Sequence, residues 1–274
     1  MTSLPQPIQK LPPAQGRGLT HLLFDFDDTV TWQGQLPLEG IQAIYQAHEA
    51  GFYLIAVTGR SASWAEMLMR LFPFQAAIAE TGALCYHRTH ISGPISVLHT
   101  VESLAERQAN SQHREHIAQN IMRDLPEVRF ALDNPGRIYD SAFDLVEDGP
   151  PLPEETIKHI HRRLDEAQFQ WAQSSVHINF FQGDFNKAAM VKRYFCELQK
   201  QDWNDIAPHL AYLGDSTNDG PLFEVVPLSI GVANVAAFLP ALNAKGQAPT
   251  YITRQNGGYG FAEAIEHLVT LKNA

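Results

Sequence analysis

Short apolar runs and segments with helical spacing alternate along the first third of the chain. THLLFDF (20–26), FYLIAVTG (52–59) and QAAIAETGA (75–83) each predict a short buried strand. The stretches at 36–51 and 61–72 place apolar residues at the three- and four-residue spacing of a helix. The order strand, helix, strand, helix, strand predicts a parallel sheet with crossover helices.

The middle of the chain has a different pattern. Long charged stretches at 101–125 and 152–167 predict helices, whereas 139–148 and 174–181 predict extended segments. Strands and helices no longer alternate as they do in the first third. We therefore expect residues 86–182 to form an α+β insert that is large enough to be a small domain.

The last third returns to the first pattern. Residues 209–216 and 228–234 predict strands, and residues 185–200 and 260–271 predict helices. The expected fold class is therefore α/β, with a Rossmann-like parallel sheet core and an inserted α+β cap domain.

The pattern also predicts domain boundaries. Residues 1–18, with several prolines and glutamines and no apolar core of signal-peptide length, are expected to be a flexible leader. Residues 19–85 and 183–274 are expected to form the core domain, and residues 86–182 the cap domain. A chain of 274 residues with 45% hydrophobic and 18% charged residues has the composition of an ordinary globular protein.

Charge and cysteine usage narrow the classes of partner and compartment. A formal net charge of -10 disfavours binding to nucleic acid or to an anionic membrane surface. No apolar run reaches the length of about 18 residues that a membrane span needs. The two cysteines, Cys85 and Cys196, form no CxxC pair, which suits a reducing compartment. We expect a cytoplasmic protein with a small-molecule partner.

Three acidic residues follow the first predicted strand. Because residues two apart in a strand point to one face, Asp25 and Asp27 should project together past its carboxyl end. Ligands bind at that edge of open parallel sheets, and two carboxylates on one face require a cation or a shared proton. The pair alone also fits a turn or a helix cap. A calcium loop of the EF-hand kind fits less well, because Val30 and Leu36 stand where glycine and glutamate are needed.

Two more strand ends and one helix start carry groups that suit phosphate. Thr58 ends the second strand, Asp215 and Asp219 follow a later one, and Lys187 opens a helix where the chain returns from the insert. Each of these residues alone is more typical of a turn or of a solvated surface. Together they supply carboxylates for magnesium, a hydroxyl and a cation for phosphate oxygens, and a carboxylate nucleophile. These are the parts that phosphoryl transfer needs.

Four motifs in this order resemble those of the haloacid dehalogenase superfamily of phosphohydrolases. They are DFDDT (25–29), VTGR (57–60), NKAAM (186–190) and GDSTND (214–219). GVAN (231–234) and the position of the insert are similar to subclass IIB members, which have a large α+β cap and include sucrose-phosphatase-like and Cof-like sugar phosphatases. One departure is the run Glu-Thr-Gly-Ala at 80–83, where many members of this subclass read Asn-Gly-Ala; we expect it to alter the rim of the pocket.

The resemblance implies roles for the core residues. Asp25 would be the nucleophile and a ligand of Mg²⁺. Asp27 would be the general acid and then the general base, and its backbone carbonyl would also touch the metal. Thr58 and Lys187 would hold the transferred phosphoryl group. Asp215 would be the second carboxylate on Mg²⁺.

Other residues of the same motifs have supporting roles. Asp219 belongs to the metal site, where the resemblance implies that it orients the ligands. Thr29 would support the loop near the acid. Gly59, Arg60 and Asn218 are candidate substrate-binding residues because they lie in the same motifs.

The insert contains further candidates. His177 and Asn179 share one face of a predicted strand, which either faces the pocket and binds sugar hydroxyls or is the solvated face of an edge strand. Asp140 and Asp144 are open to the same two interpretations. Arg137 could bind a second anionic group, although a surface position is the more typical one for an arginine.

These features predict a Mg²⁺-dependent phosphomonoester hydrolase that acts on a small phosphorylated metabolite, most readily a sugar phosphate, through an aspartyl-phosphate. A phosphomutase of the same superfamily fits the same residues, because only the acceptor of the phosphoryl group differs. A catalytically silent sugar-phosphate-binding protein is the alternative from another class. Its sequence mark would be loss of the nucleophile, the acid or the lysine, and all three are present.

Overall fold

The computed structural model describes residues 4–174 and 176–273. Within these ranges the strands form one nine-stranded and one three-stranded sheet. The strands are β1 Gln6–Pro7, β2 His21–Phe24, β3 Tyr53–Val57, β4 Ala76–Ala79, β5 Leu84–His87, β6 Ser96–His99, β7 Asp140–Asp144, β8 Gln170–Gln173, β9 His177–Phe181, β10 Leu210–Gly214, β11 Leu228–Gly231 and β12 Tyr251–Ile252.

The helices lie between these strands in chain order. They are α1 Pro13–Arg17, α2 Leu38–Glu49, α3 Ala62–Leu71, α4 Leu104–Asp124, α5 Glu154–Glu166, α6 Lys187–Arg193, α7 Trp203–Ile206, α8 Gly220–Val225, α9 Leu239–Lys245 and α10 Gly257–Asn273. No helix in the described ranges combines the length and the hydrophobicity needed to cross a membrane.

The large sheet has the strand order β1-β12-β11-β10-β2-β3-β4-β5-β6 and is parallel from β1 to β4. Its central strand β2 is apolar from residue 22 to residue 24 because both faces of the sheet are covered there. Leu22 and Phe24 pack on the face that α2 and α10 cover, and Leu23 packs on the face that α6 and α8 cover. The predicted fold class is confirmed in its α/β character and its mostly parallel sheet.

The small sheet has the antiparallel order β7-β9-β8. Side chains alternate along its central strand β9. Ile178 and Phe180 lie in an apolar cluster with residues of α4 and α5. His177 and Asn179 therefore point to the opposite face, which is turned toward the large sheet.

Two features of the structure bear on the predicted domain boundaries. The large sheet continues through the antiparallel strands β5 and β6, past the predicted start of the cap at residue 86. Leu84 and Cys85 are fully buried there, which explains why these strands stay with the sheet. We propose that the inserted unit begins after His99.

The predicted flexible leader is also largely structured from residue 4 onward. Strand β1 pairs with β12 at the edge of the large sheet. Ile8 and Leu11 are buried in the same apolar cluster as α10. These two apolar side chains, which lie among the prolines and glutamines of the segment, anchor it to the large sheet.

Candidate active site

The carboxyl ends of three adjacent strands place the motif residues side by side. Strand β2 lies between β10 and β3, with Phe24 in register with Leu213 on one side and Ala56 on the other. Asp25, Asp215 and Thr58 each follow the last residue of one of these strands. Parallel strands end at the same edge of a sheet, so these three residues meet there.

Lys187 joins two of the carboxylates. Its Nζ lies 2.8 Å from Asp25 Oδ1 and 2.7 Å from Asp219 Oδ1, and the side chain is 1% exposed. Asn186 caps helix α6 by accepting a hydrogen bond from Ala189 N, which fixes Lys187 as the first helical residue. Gly82 allows the close approach of this helix start, because a Cβ there would lie 2.2 Å from the carbonyl oxygen of Asn186.

Asp219 has all of its acceptor capacity in use. Oδ1 also accepts a hydrogen bond from Tyr212 at 2.5 Å, and Oδ2 accepts from the backbone N–H groups of Asp215 and Ser216 at 2.9 and 3.0 Å. Burial alone would raise the pKa of Asp219, but the charge and hydrogen bond of Lys187 hold it below its usual value. This carboxylate therefore fits the orienting role better than that of a direct metal ligand.

Asp25 and Asp215 have the opposite electrostatic character. Burial, together with the charges of Asp219 and Asp27, raises the pKa of Asp25 to about 8, against the opposing charge of Lys187. Burial and the neighbouring carboxylates raise the pKa of Asp215 well above its usual value. The single charge of Lys187 therefore does not offset the burial of these two carboxyl groups.

The donor set fits a hard divalent cation. Asp25, Asp215 and Asp219 each offer an oxygen, and these oxygens lie within 4.8 Å of one another. Asp215 is held in place by Asn234, whose Nδ2 donates to its Oδ2 at 3.2 Å and to the carbonyl of Asp28 at 3.0 Å. Because Asp219 is already saturated by donors, Asp25 and Asp215 are the side chains best suited to hold the ion.

Asp27 is bound by an arginine that also reaches the insert. Arg60 donates from Nε and Nη2 to the Asp27 carboxylate at 2.7 to 3.0 Å. The remaining donors of the same guanidinium bind Glu147 at 2.5 and 2.8 Å. Burial alone would raise the pKa of Glu147, but His177 and Arg60 lower it to about 2. Arg60 is thus held between a carboxylate of the large unit and one of the insert.

Strand β9 covers this edge from above. His177 and Asn179 are each 2% exposed and line a small cavity together with Asp25, Asp27 and Asn218. β9 is the central strand of its sheet, so the interpretation of a solvated edge strand is wrong. The cavity measures about 10 Å³, the space of about one water molecule. A substrate can enter only if the insert and the motif loops move apart.

Gly59 lines the cavity, and Asn218 and Thr81 lie beside it. The Gly59 carbonyl accepts hydrogen bonds from Asn179 and Arg137, both at 3.0 Å. A Cβ at Gly59 would lie 3.6 Å from Asn218 Nδ2 and 3.8 Å from Thr81 Oγ1. The Thr81 hydroxyl is buried and has no hydrogen-bond partner in the described ranges. Thr58 Oγ1 accepts from the N–H of Arg60 at 2.9 Å, which fixes the turn.

Glu80, the first residue of the unusual Glu-Thr-Gly-Ala run, connects the two units. Its fully buried carboxylate accepts from the backbone N–H of Ala62 in the large unit and from those of Ile138, Tyr139 and Asp140 in the insert, at 2.6 to 3.1 Å. Burial, and then the charge of Asp140, raises the pKa of Glu80 to about 7. This departure from the family pattern therefore acts on the contact between the units.

The three remaining candidates of the insert have structural partners. Arg137 is buried, not on the surface, and lies between Asp133 and Asp140 at 3.0 and 2.9 Å. Asp140 also accepts from Asn179 at 2.7 Å. Asp144 accepts from the backbone N–H groups of residues 146, 147 and 148 and pairs with Arg129. These contacts leave no place for a substrate group on the three side chains.

The structure therefore gathers the predicted core residues and both polar residues of β9 around one cavity or directly beneath it. Sequence reasoning missed several neighbours because their sequence signals are weak. Asn234 lies within the GVAN stretch but received no role, and Glu147 lies in a turn whose position depends on how the insert packs. The residues missed are Thr81, Glu147, Tyr212, Ser216 and Asn234.

A much wider groove lies elsewhere on the molecule. It measures about 690 Å³ and runs between helices α2 and α10, on the surface of the large unit. Glu39, Glu49 and Glu263 line it, together with Arg254 and Tyr259. None of the motif residues borders this groove, so the small cavity at the sheet edge is the better candidate for the active site.

Comparison with known proteins agrees with the motifs. Residues 22–118 match the family model of haloacid dehalogenase-like hydrolases. The C-terminal domain of trehalose-6-phosphate phosphatase from C. albicans is similar in structure, with a TM-score of 0.71 and 13% identity, covering 98% of this chain and 99% of that one.

Two other solved structures show the same fold. Sucrose-phosphatase from Synechocystis sp., solved in complex with sucrose and phosphate, has a TM-score of 0.59 and 19% identity, covering 91% of this chain and 97% of that one. Protein 0175 of Thermoplasma acidophilum has a TM-score of 0.68 and 16% identity, covering 92% and 99%. The resemblance that the motifs indicated is confirmed.

Proposed function

We propose that this chain, which resembles haloacid dehalogenase-like hydrolases in its motifs and fold, is a Mg²⁺-dependent phosphatase that hydrolyses a small phosphorylated metabolite, a sugar phosphate in the first instance. The observation that carries the proposal is the position of Asp25 at the sheet edge. One of its oxygens is bonded to Lys187, and within the described ranges no donor reaches the other. A carboxylate with one oxygen fixed and one free is arranged as a nucleophile.

Asp25 and Asp27 divide the chemistry between them. The free oxygen of Asp25 attacks phosphorus and forms the new P–O bond, while the bond from phosphorus to the leaving oxygen breaks. Asp27 donates a proton to that leaving oxygen and then removes a proton from the water that attacks the aspartyl-phosphate. The second attack breaks the bond from Asp25 to phosphorus and releases phosphate. Both carboxylates line the same cavity, which supports this division.

Asp25, Asp215 and the backbone carbonyl of Asp27 would hold Mg²⁺, which when bound neutralises the charge that builds up on phosphoryl oxygens. Lys187 orients Asp25 and supplies a positive charge beside the nucleophile. Asp219 keeps Lys187 in that position through a hydrogen bond of 2.7 Å. Thr58 and the turn that follows it would bind phosphoryl oxygens.

The insert supplies the surface that faces the leaving group. His177 and Asn179 lie in the cavity wall opposite the carboxylates. Amide and imidazole groups bind hydroxyls, which supports a sugar or polyol phosphate as substrate. The sucrose-phosphatase and the trehalose-6-phosphate phosphatase of similar fold are in accord with this class.

A phosphomutase is the second candidate, because Asp27 can activate a sugar hydroxyl as readily as water. A protein that only binds sugar phosphates is the third. The complete set of Asp25, Asp27 and Lys187 favours an enzyme over the third candidate.

The decisive experiment measures release of inorganic phosphate from p-nitrophenyl phosphate and from a panel of sugar phosphates, with Mg²⁺ and with a chelator. Turnover that needs Mg²⁺ is expected. Appearance of an isomeric sugar phosphate without free phosphate would establish the mutase. Absence of turnover with every divalent ion, in protein shown to be folded, would leave the binding protein.

A further inference from the structure

Among the described residues, the three cationic side chains that are hydrogen-bonded to the cavity lining are each held between two carboxylates. The distances from cation to carboxylate run from 2.5 to 3.0 Å, and the three cationic side chains are at most 6% exposed. The sets are Lys187 with Asp25 and Asp219, Arg60 with Asp27 and Glu147, and Arg137 with Asp133 and Asp140.

The cavity wall has no cation of its own. Among the described residues that line it, three are aspartates and none is lysine or arginine. The remaining polar lining consists of serine hydroxyls, two asparagine amides and the imidazole of His177. His177 Nε2 lies 3.1 Å from Glu147 Oε2, so the imidazole also faces a carboxylate.

The second observation is that carboxylates outnumber cationic side chains around the cavity. Lys187 and Arg60 face five carboxylates around the cavity and just behind its wall, and the transferred phosphoryl group adds further negative charge. A second anion on the substrate would find no unpaired cation among the described residues of the cavity lining. It would also lie near Glu147, which holds its charge because Arg60 and His177 lower its pKa.

We propose that the leaving group of the substrate carries hydroxyl groups and no second negative charge, and that Glu147 is the specificity-determining residue that disfavours anionic leaving groups. This proposal rests on the proposed phosphatase function and narrows its substrate class. It favours neutral sugar or polyol phosphates over phosphoglycerates, phosphorylated sugar acids and bisphosphates.

The test compares two phosphomonoesters of equal chain length, glycerol 3-phosphate and 3-phosphoglycerate, which differ in a terminal hydroxymethyl or carboxylate group. We expect kcat/KM to be on the order of tenfold or more higher for glycerol 3-phosphate, because the carboxylate is repelled and finds no cation. In Glu147→Gln, this ratio should fall severalfold, because the charge behind the wall is removed while the side-chain shape is kept.

Asp148→Asn is the matched control. It removes one negative charge at the next residue, where Asp148 accepts from the N–H of Leu132 instead of from Arg60. The ratio should stay at its wild-type value in this variant. An equal fall in both variants would assign the effect to general charge and would overturn the role of Glu147.

A wild-type kcat/KM ratio near one, or a preference for 3-phosphoglycerate, would overturn the proposed charge preference. Turnover of either compound would still support the phosphatase function. If neither compound is turned over, the same pair is compared by calorimetric binding to the wild-type protein with Mg²⁺. Tighter binding of glycerol 3-phosphate would then support the charge preference although the phosphatase function has failed, and equal or weaker binding would overturn both.

Discussion

Two buried clusters of this protein have the same ratio of carboxyl groups to cationic side chains but differ in the hydrogen bonds that the carboxyl groups accept. The edge cluster consists of Asp25, Asp215 and Asp219 with Lys187, and the interface cluster consists of Glu80, Asp133 and Asp140 with Arg137. Each places three carboxylates around one cation.

The difference lies in the backbone donors. In the interface cluster, Glu80 accepts from four different residues' N–H groups, and Asp133 accepts from that of Ser61. In the edge cluster, backbone donors reach Asp219, whereas Asp25 and Asp215 face the cavity. Backbone donors complete the first cluster and make it a structural joint. The second cluster lacks such donors on two carboxylates, which fits its proposed role as a site for a cation and a phosphoryl group.

The largest expected effect comes from Asp25→Asn, which removes the nucleophile from the edge cluster. Turnover of p-nitrophenyl phosphate should fall by at least about 10³-fold, because an amide oxygen is a poor nucleophile toward phosphorus. Circular dichroism should show an unchanged fold, and Asp184→Asn, which alters an exposed residue, serves as the control. Near-normal turnover in Asp25→Asn would show that another group attacks.

Asp27→Asn should lower turnover by roughly 10²–10⁴-fold, the usual contribution of a general acid and base. The loss should be greater for alkyl phosphates than for p-nitrophenyl phosphate, because a nitrophenolate leaves without a proton. Steady-state rates on both substrates measure this. Equal rates in the variant and the wild type on an alkyl phosphate would contradict the assignment of Asp27.

Glu80→Gln tests the interface cluster. The amide replaces an acceptor oxygen that faces backbone N–H groups, so the free energy of unfolding should fall by about 1–3 kcal/mol. The raised pKa of Glu80 means that the folded state binds its proton more tightly, so this residue lowers stability as pH rises from 4.5 to about 7. Urea unfolding across that range should show a smaller decline in the variant than in the wild type.

The exposed pair of Glu66 and Arg70 provides the control for this measurement. Glu66→Gln should change stability by less than about 0.5 kcal/mol, because solvent screens the pair. A change of equal size in Glu80→Gln and Glu66→Gln would show that the interface cluster is not a joint.

Addition of Mg²⁺ should raise the melting temperature, and more so at pH 8.5 than at pH 6. The raised pKa values mean that Asp25 and Asp215 hold protons in the metal-free protein at low pH, and those protons compete with the ion. At ten times its dissociation constant the ion stabilises by about 1.4 kcal/mol. Differential scanning calorimetry measures the shift, which Asp215→Asn should abolish. A shift independent of pH, or retained in that variant, would place the ion elsewhere.

The sequence by itself determined the alternating elements, the fold class and the residues of the edge cluster. Apolar runs flanked by turns specify strands locally, and Asp25, Thr58 and Asp215 stand directly at strand ends, so the rule that parallel strands share one edge brings them together. The sequence also pointed to Glu80, because the run Glu-Thr-Gly-Ala at 80–83 differs from the Asn-Gly-Ala of many subclass IIB members.

Only the tertiary structure decided what the insert does. Whether His177 and Asn179 face a pocket or solvent depends on which strand is central, and strand order is not encoded in the spacing of one strand. The position of Glu147 beside Arg60, 87 residues away along the chain, depends on how two units pack. The burial of Arg137 between its two carboxylates is also a feature of the tertiary structure. The pattern of residues around Arg137 in the sequence does not specify whether its charge is buried.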